Sequence, residues 1–242
     1  MSSVLHDYWA YFLVGQYPNG PLGGLALTLL LGVSAVTLAL PFGVLLGLAR
    51  LSPWRALRWP VMALVYVVRG SPLLMVVFWA YFFMPGSSGR GNSQFATMLA
   101  ALVVFNGAYL AEIVRSGLEA LPRGQLEAAR SLGLGYLQAM RHVVLPQALR
   151  NVLPSLVSQL VVTIKETSLG YIIGLTEFTF IATQVDSQLI THSTAVYTLV
   201  ALTYFALCGG LSLLARRLDA RSGPQAGPCP GGWAQARRAV PA

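Results

Sequence analysis

Five long runs of apolar residues, separated by arginine-bearing stretches, set the pattern of the chain. Leu22 to Ala49 contains no ionisable residue, Trp59 to Pro85 contains only Arg69, and Gly91 to Ala111 contains none. Asn151 to Leu175 is interrupted by Lys165 and Glu166 alone, and Leu189 to Ala215 by His192 alone. About 20 apolar residues in a helix cross the hydrocarbon core of a bilayer. The pattern therefore predicts spans at about 22–49, 59–85, 91–114, 151–175 and 189–215. Without water to satisfy the backbone, a spanning segment must be a helix or part of a closed barrel. Barrel strands alternate apolar and polar residues, whereas these runs are continuous. The predicted fold class is all-α: a polytopic membrane bundle of five transmembrane helices occupying residues 21–219.

The flanks read differently. Leu5, Tyr8, Trp9, Phe12 and Leu13 recur at helical spacing and predict an interfacial amphipathic helix within residues 1–20, the plainer role being a simple membrane anchor. Met1 to Asp7 has no basic region of the kind that opens a cleavable signal, so the first span is expected to be retained. Residues 220–242 are rich in Gly, Pro and Ala without apolar period and are expected to be disordered.

Charge orients the bundle. Charged residues make up 10% of the chain, against about 25% in soluble domains. Arg50, Arg55 and Arg58 follow span one, Arg115, Arg123, Arg130, Arg141 and Arg150 follow span three, and Arg216, Arg217, Arg221, Arg237 and Arg238 follow span five. Outside the spans, the opposite side carries only Arg90. The positive-inside rule predicts these loops and the C-terminus in the cytoplasm and the N-terminus outside. A basic face beside anionic lipid accounts for the net charge of +8 with no nucleic-acid partner.

Catalytic patterns are missing from the sequence. Its single lysine, Lys165, follows Thr163 and Ile164, so there is no phosphate-binding loop. The histidines His6, His142 and His192 fall in different regions, and Cys208 and Cys229 make no metal or disulfide pattern. Neither catalytic residues nor a cofactor or metal site are predicted, and any ATP-driven activity needs a separate ATPase subunit.

One segment between spans three and four stands out. Glu127, Ala128 and Ala129 are followed after three residues by Gly133, after nine more by Val143, and then by Leu145 and Pro146. Gln125–Leu132 and Tyr136–Val143 have helical character, with Gly133 and Gly135 between them to allow a turn. The small Ala128 and Ala129 suit close seating of the first helix in a groove, and Glu127 near the helix start suits the dipole. Arg130 and Arg141 offer charge-assisted bonds to a partner surface, and Pro146 is expected to end the second helix before span four. This spacing resembles the EAA loop of ABC-importer permeases, with Val143 where Ile is more usual.

The resemblance continues over nearly the whole chain, in Leu25–Leu31, Arg69–Leu74, Gly107–Ile113, Arg115–Leu118, Pro122–Gln125, Lys165–Leu169 and Ile173–Glu177. These segments are similar to the polar amino acid subfamily (histidine, glutamate, glutamine and arginine types). The resemblance implies a type I importer permease fold in a bacterial inner membrane. It implies docking of loop 123–147 on an ABC ATPase subunit through Glu127, Ala128, Ala129, Gly133, Leu145 and Pro146. It further implies a second permease subunit, identical or different, an extracytoplasmic amino-acid-binding protein, a polar amino acid substrate and transport by alternating access. A secondary transporter driven by an ion gradient is the rival reading, although no inverted repeat is visible in the sequence.

Charges inside spans cost roughly 2.5–3.5 kcal/mol each on insertion scales and usually face a cavity or a partner. Arg69, Ser71, Lys165, Glu166, Thr167 and Ser168 are accordingly candidates for a translocation path. Gly70 and Pro72 beside Arg69 predict a locally broken helix. Arg69 either lines that path and attracts a substrate carboxylate or pairs internally, and the residues alone leave both open. Four consecutive polar residues at 165–168 favour the path there, the plainer alternative being a Lys165–Glu166 pair. Two in-span cations would suit an acidic substrate such as glutamate or aspartate, although the same patterns recur across the subfamily. Glu112 and Arg115, three apart, are expected to form a structural pair. Gly43 with Gly47 and Gly170 with Gly174 are expected to pack helices, while Glu177, Gln184 and Asp186 are expected on a solvated external loop that can meet the binding protein.

Overall fold

Small residues decide where the long helices touch. In the computed structural model, which describes residues 2–52, 54–83, 93–189 and 193–221, α2 (Gly24–Arg50) and α5 (Gln94–Glu119) form the centre of the bundle. A Cβ added at Gly43 would lie 2.6 Å from Leu110 Cβ and 3.0 Å from the Gly107 carbonyl, and one at Gly47 would lie 3.0 Å from the Ala111 carbonyl. The two backbones therefore approach more closely than any larger side chain allows, as Gly-rich membrane interfaces do. Around this contact Leu31, Ala35, Ala101, Leu102, Ala108 and Ala111 are buried. Of the tail expected to be disordered at 220–242, Ala220 and Arg221 instead continue the last helix, and residues 222–242 lie outside the described residues.

Among the described residues the chain is helical with no strand beyond isolated bridges. Four helices are long and apolar enough to cross a membrane, and α3 (Arg55–Gly70) with α4 (Leu73–Phe83) makes a fifth crossing if the bent pair counts as one. The break falls where Gly70 and Pro72 place it. Ser71 is extended (φ −96°, ψ 143°), as the residue before proline prefers, and the chain turns by 110°.

Span four departs from expectation. Helix α6 (Arg123–Ser131) is followed by α7 (Tyr136–Ala139), a π-type turn at Met140–Val144, and α8 (Leu145–Glu166), which tightens into a 3₁₀ segment at Thr167–Ile173. Tyr136 to Ile173 is thus one continuous 38-residue helical element. Pro146 does not end a helix, because it sits in the first turn of α8, where its missing N–H costs little. The wider π-type turn just before it takes up the change in hydrogen-bond register.

The segment expected as a solvated loop is also helical: α9 (Phe178–Gln188) buries Phe178, Ile181, Ala182 and Val185. Their spacing of three, four and seven is a helix face. It packs with Phe12 of α1 (Ser2–Val14) and Val196 and Val200 of α10 (Ser193–Arg221), leaving Trp9 and Leu13 exposed. Gly174 ends the 3₁₀ segment in a left-handed conformation (φ 79°) and does not pair with Gly170 as a packing motif.

The close α2–α5 approach should be intolerant of bulk. Gly43→Leu is expected to destabilise the detergent-purified protein by about 1–3 kcal/mol through overpacking, read as a lower melting temperature. Gly209→Ala, where nothing lies within 4 Å of the added carbon, should leave the melting temperature unchanged or slightly higher.

Candidate functional site

Three polar groupings lie within the helical bundle, and a loop lies outside it. Residues Gln125 to Gln138 project from one end of the bundle, rooted by Leu126, Met140, Val144 and Leu145 against Val114 and Leu118 of α5. Their turn is set by Gly133, whose φ of 86° favours glycine. The Gly133 N–H bonds the Arg130 carbonyl at 3.0 Å and the Leu134 N–H reaches the Ala129 carbonyl at 3.3 Å, the paired bonds of a Schellman cap. Gly135 is extended instead and its N–H donates to the Gln138 side-chain oxygen at 3.1 Å.

Two sequence expectations change here. Ala129 is buried against the chain's own core while Ala128 faces outward, so only one of the two alanines is free to seat on a partner. Glu127 stands in the second turn of α6, because Pro122 starts the helix one turn earlier, and helix-dipole effects fade beyond the first turn. Glu127 and Pro146 are exposed and Leu145 is half-buried. Leu132 at 83% and Leu137 at 77% exposure, with Tyr136, form an apolar tip that the motif match did not single out. Their signal was present as hydrophobic residues flanking a glycine turn in an otherwise polar segment.

An ionic network joins three helices near the same end. Glu112 of α5 binds Arg50 of α2, Arg69 of α3 and Arg115 of its own helix, and Arg115 also reaches Glu119. The Glu112–Arg69 contact is 3.2 Å. Arg50 lies over the Tyr66 ring at 5.7 Å and Arg69 over Tyr109 at 5.2 Å, so aromatic faces add to the stabilisation of both cations. The expected Glu112–Arg115 pair is therefore part of a larger cluster, and Arg69 is paired internally. Ser71 donates to the Val67 carbonyl at the elbow.

Deeper in the bundle, Lys165 and Glu166 do not pair with each other. Lys165 is exposed on the side of α8, and among the described residues no carboxylate lies within ion-pair distance of it. Glu166 turns the other way and accepts a hydrogen bond from buried Asn106 of α5 at 3.1 Å. Thr167 is fully buried and Ser168 half-buried, each donating to a carbonyl one turn back. The third grouping centres on Glu177. This fully buried carboxylate caps α9 by accepting from the N–H groups of Thr179 and Phe180, both at 2.9 Å. Thr28 of α2 accepts from the Phe178 N–H, and Gln184 accepts from Tyr11. Glu177 and Gln184 are thus structural contacts of α9, not solvated loop residues.

A helical bundle with apolar crossings, one of them broken, buried polar clusters and a rooted loop at one end fits the class of membrane-embedded permeases. Residues 39–223 match the family described as binding-protein-dependent transport system inner membrane component, and the chain belongs to that family, on its amino-acid ABC permease branch. It is 37% identical to the inner membrane amino-acid ABC transporter permease protein YhdY of Escherichia coli (strain K12), covering 88% of this chain but 59% of that protein. It is 38% identical to the probable glutamine ABC transporter permease protein GlnP of Bacillus subtilis (strain 168), covering 82% of this chain and 91% of that one. Among solved structures, an amino acid ABC transporter crystallised with histidines superposes with a TM-score of 0.73 at 33% identity, over 82% of this chain and 92% of that chain.

Removing the carboxylate at the centre of the ionic network should be costly. Glu112→Gln is expected to destabilise the protein by about 3 kcal/mol, because it leaves the buried Arg50 without its counter-charge. Thermal melting in detergent reads this, and an unchanged melting temperature would show that the network contributes nothing to stability.

Proposed function

We propose that the chain is the translocating half of an ATP-driven, binding-protein-dependent importer of a polar amino acid, working by alternating access. The observation that carries this reading is the continuity of helix from the exterior loop at Tyr136 to the polar residues Lys165–Ser168. A partner seated on the loop would act through that helix on the path. The positive-inside pattern places loop 123–147 and the C-terminus in the cytoplasm and the N-terminus outside. An ABC ATPase subunit docks on the loop through Glu127, Ala128 and the turn at Gly133, with Leu132 and Leu137 as apolar contacts and Arg130 and Arg141 as charged ones. The substrate arrives from an extracytoplasmic amino-acid-binding protein.

The path itself runs along α8 at Lys165, Ser168 and their neighbours Glu166 and Thr167, with Arg69 and Ser71 at the elbow of the broken crossing. An exposed lysine within a span cannot face lipid cheaply, so a second permease subunit covers this side of α8 and encloses a wet cavity. The name glutamate/aspartate import permease protein GltK belongs to a relative from Escherichia coli O157:H7 that is 33% identical over 83% of this chain. With Lys165 facing the cavity, an amino acid bearing a side-chain carboxylate is the substrate class this chain fits best. ATP binding to the partner closes it, moves the loop and switches the cavity between its two openings.

Two measurements test the proposal. Gly133→Asp and Glu127→Lys should insert normally yet lose both co-purification of the ATPase subunit and uptake in membrane vesicles, and normal uptake by either would sink the docking assignment. In proteoliposomes holding the whole transporter, uptake should require ATP on the loop side and survive ionophores that collapse proton and sodium gradients. Uptake that follows an ion gradient without ATP would instead establish a secondary transporter.

A further inference from the structure

Asn106 sits in the middle of α5 with no exposed surface, and every hydrogen-bonding position of its amide is used. Its Nδ2 donates to the Leu102 carbonyl and to Glu166 Oε2, each at 3.1 Å. Its Oδ1 accepts from Gln159 Nε2 at 2.6 Å and from Thr163 Oγ1 at 2.8 Å. This set fixes which way the amide points. Turning it over would set Oδ1 against the Leu102 carbonyl and the Glu166 carboxylate, two acceptors that cannot donate in return, whereas the Gln159 amide and the Thr163 hydroxyl can each turn to suit. Gln159 and Thr163 lie about two turns and one turn before Glu166 on α8, so the amide ties three successive turns of that helix to α5.

The consequence is electrical. Lys165 and Glu166 are chain neighbours of opposite charge, and side by side in a cavity they would largely cancel. Successive residues on a helix point about 100° apart, and Asn106 exploits that divergence by holding the carboxylate in the α5–α8 seam. Lys165 is left facing outward. The other in-span cation, Arg69, is committed to Glu112 together with Arg50 and Arg115 from the span ends.

We infer that Asn106 is a positioning residue that sets the charge of the translocation path, sequestering Glu166 so that Lys165 alone acts on a passing substrate. The inference rests on the reading that residues 165–168 line that path. It assigns selection for carboxylate-bearing substrates within the pore to an amide that never touches the substrate.

The test uses the complete transporter in vesicles, with Cys208→Ser and Cys229→Ser and a single reporter, Ser168→Cys. Labelling rates are measured with an anionic sulfonate-bearing and a cationic trimethylammonium-bearing methanethiosulfonate, each relative to a free thiol in solution. With Asn106 in place the anionic reagent should react faster. Asn106→Leu should lower the anionic-to-cationic ratio by about tenfold, the scale expected for freeing one unit charge nearby in a partly wet site. Adding Glu166→Gln to Asn106→Leu should restore the ratio. Loosened packing alone would change both rates together and would not be rescued by Glu166→Gln. If Asn106→Leu fails to assemble, Asn106→Ser, which cannot satisfy all four partners, should shift the ratio in the same direction. A ratio unmoved by either Asn106 variant overturns the inference. A reporter that reacts with neither reagent overturns the placement of the path at 165–168, a different failure from an unmoved ratio.

Discussion

A carboxylate surrounded by three guanidinium groups holds one end of this bundle together. Glu112 binds Arg50 from α2, Arg69 from α3 and Arg115 from α5, so three helices meet at one side chain. The contact depends on the glycine-lined approach of α2 to α5 through Gly43 and Gly47, which brings Arg50 within reach. It also anchors the first arm of the broken crossing just before its turn at Ser71. In a membrane, an arginine without its counter-charge is expensive, which makes this end of the bundle resistant to rearrangement. Motion in such a molecule is expected where no such bond must be broken.

The remaining polar groups are sorted in the same spirit. Asn106 gathers Gln159, Thr163 and Glu166 between α5 and α8, and Glu177 is absorbed by the helix start it caps. These clusters satisfy themselves and hold helices in register. Among the described residues, Lys165 on α8 and the apolar tip at Leu132 and Leu137 have no such internal match. Leu137 and Lys165 lie towards opposite ends of one helical element, and both call for something outside the chain.

The spans were legible because continuous apolar runs have a single structural solution in lipid, and the break at Gly70–Pro72 because proline constrains the residue before it. The loop motif and the family were legible through the resemblance that the residues at 127–146 and the matching segments elsewhere in the chain carry. The partners of Arg69 were not, since Glu112 is 43 positions away and nothing in a local pattern links them. Glu166 looked like the partner of Lys165 because adjacency in sequence conceals the divergence of neighbours around a helix. The burial of Ala129 and the continuity through Pro146 were also hidden, because they depend on how α6 and α8 lie against α5. Helix α9 is a different case: the spacing of Phe178, Ile181, Ala182 and Val185 shows a helical face, overshadowed by the polar residues between them.

The contact between Gly117 and Val152 gives the long helical element a mechanical character. A Cβ added at Gly117 would come within 2.4 Å of the Val152 side chain, so α8 rests hard against α5 at that point. At about 1.5 Å per residue, the loop tip at Leu137 lies about 22 Å to one side of Val152 and Lys165 about 20 Å to the other. The element is a lever with nearly equal arms and its fulcrum on a glycine. A tilt about that fulcrum would carry the two ends through similar distances in opposite senses, so a push at the loop would arrive at the exposed lysine reversed in direction and almost undiminished.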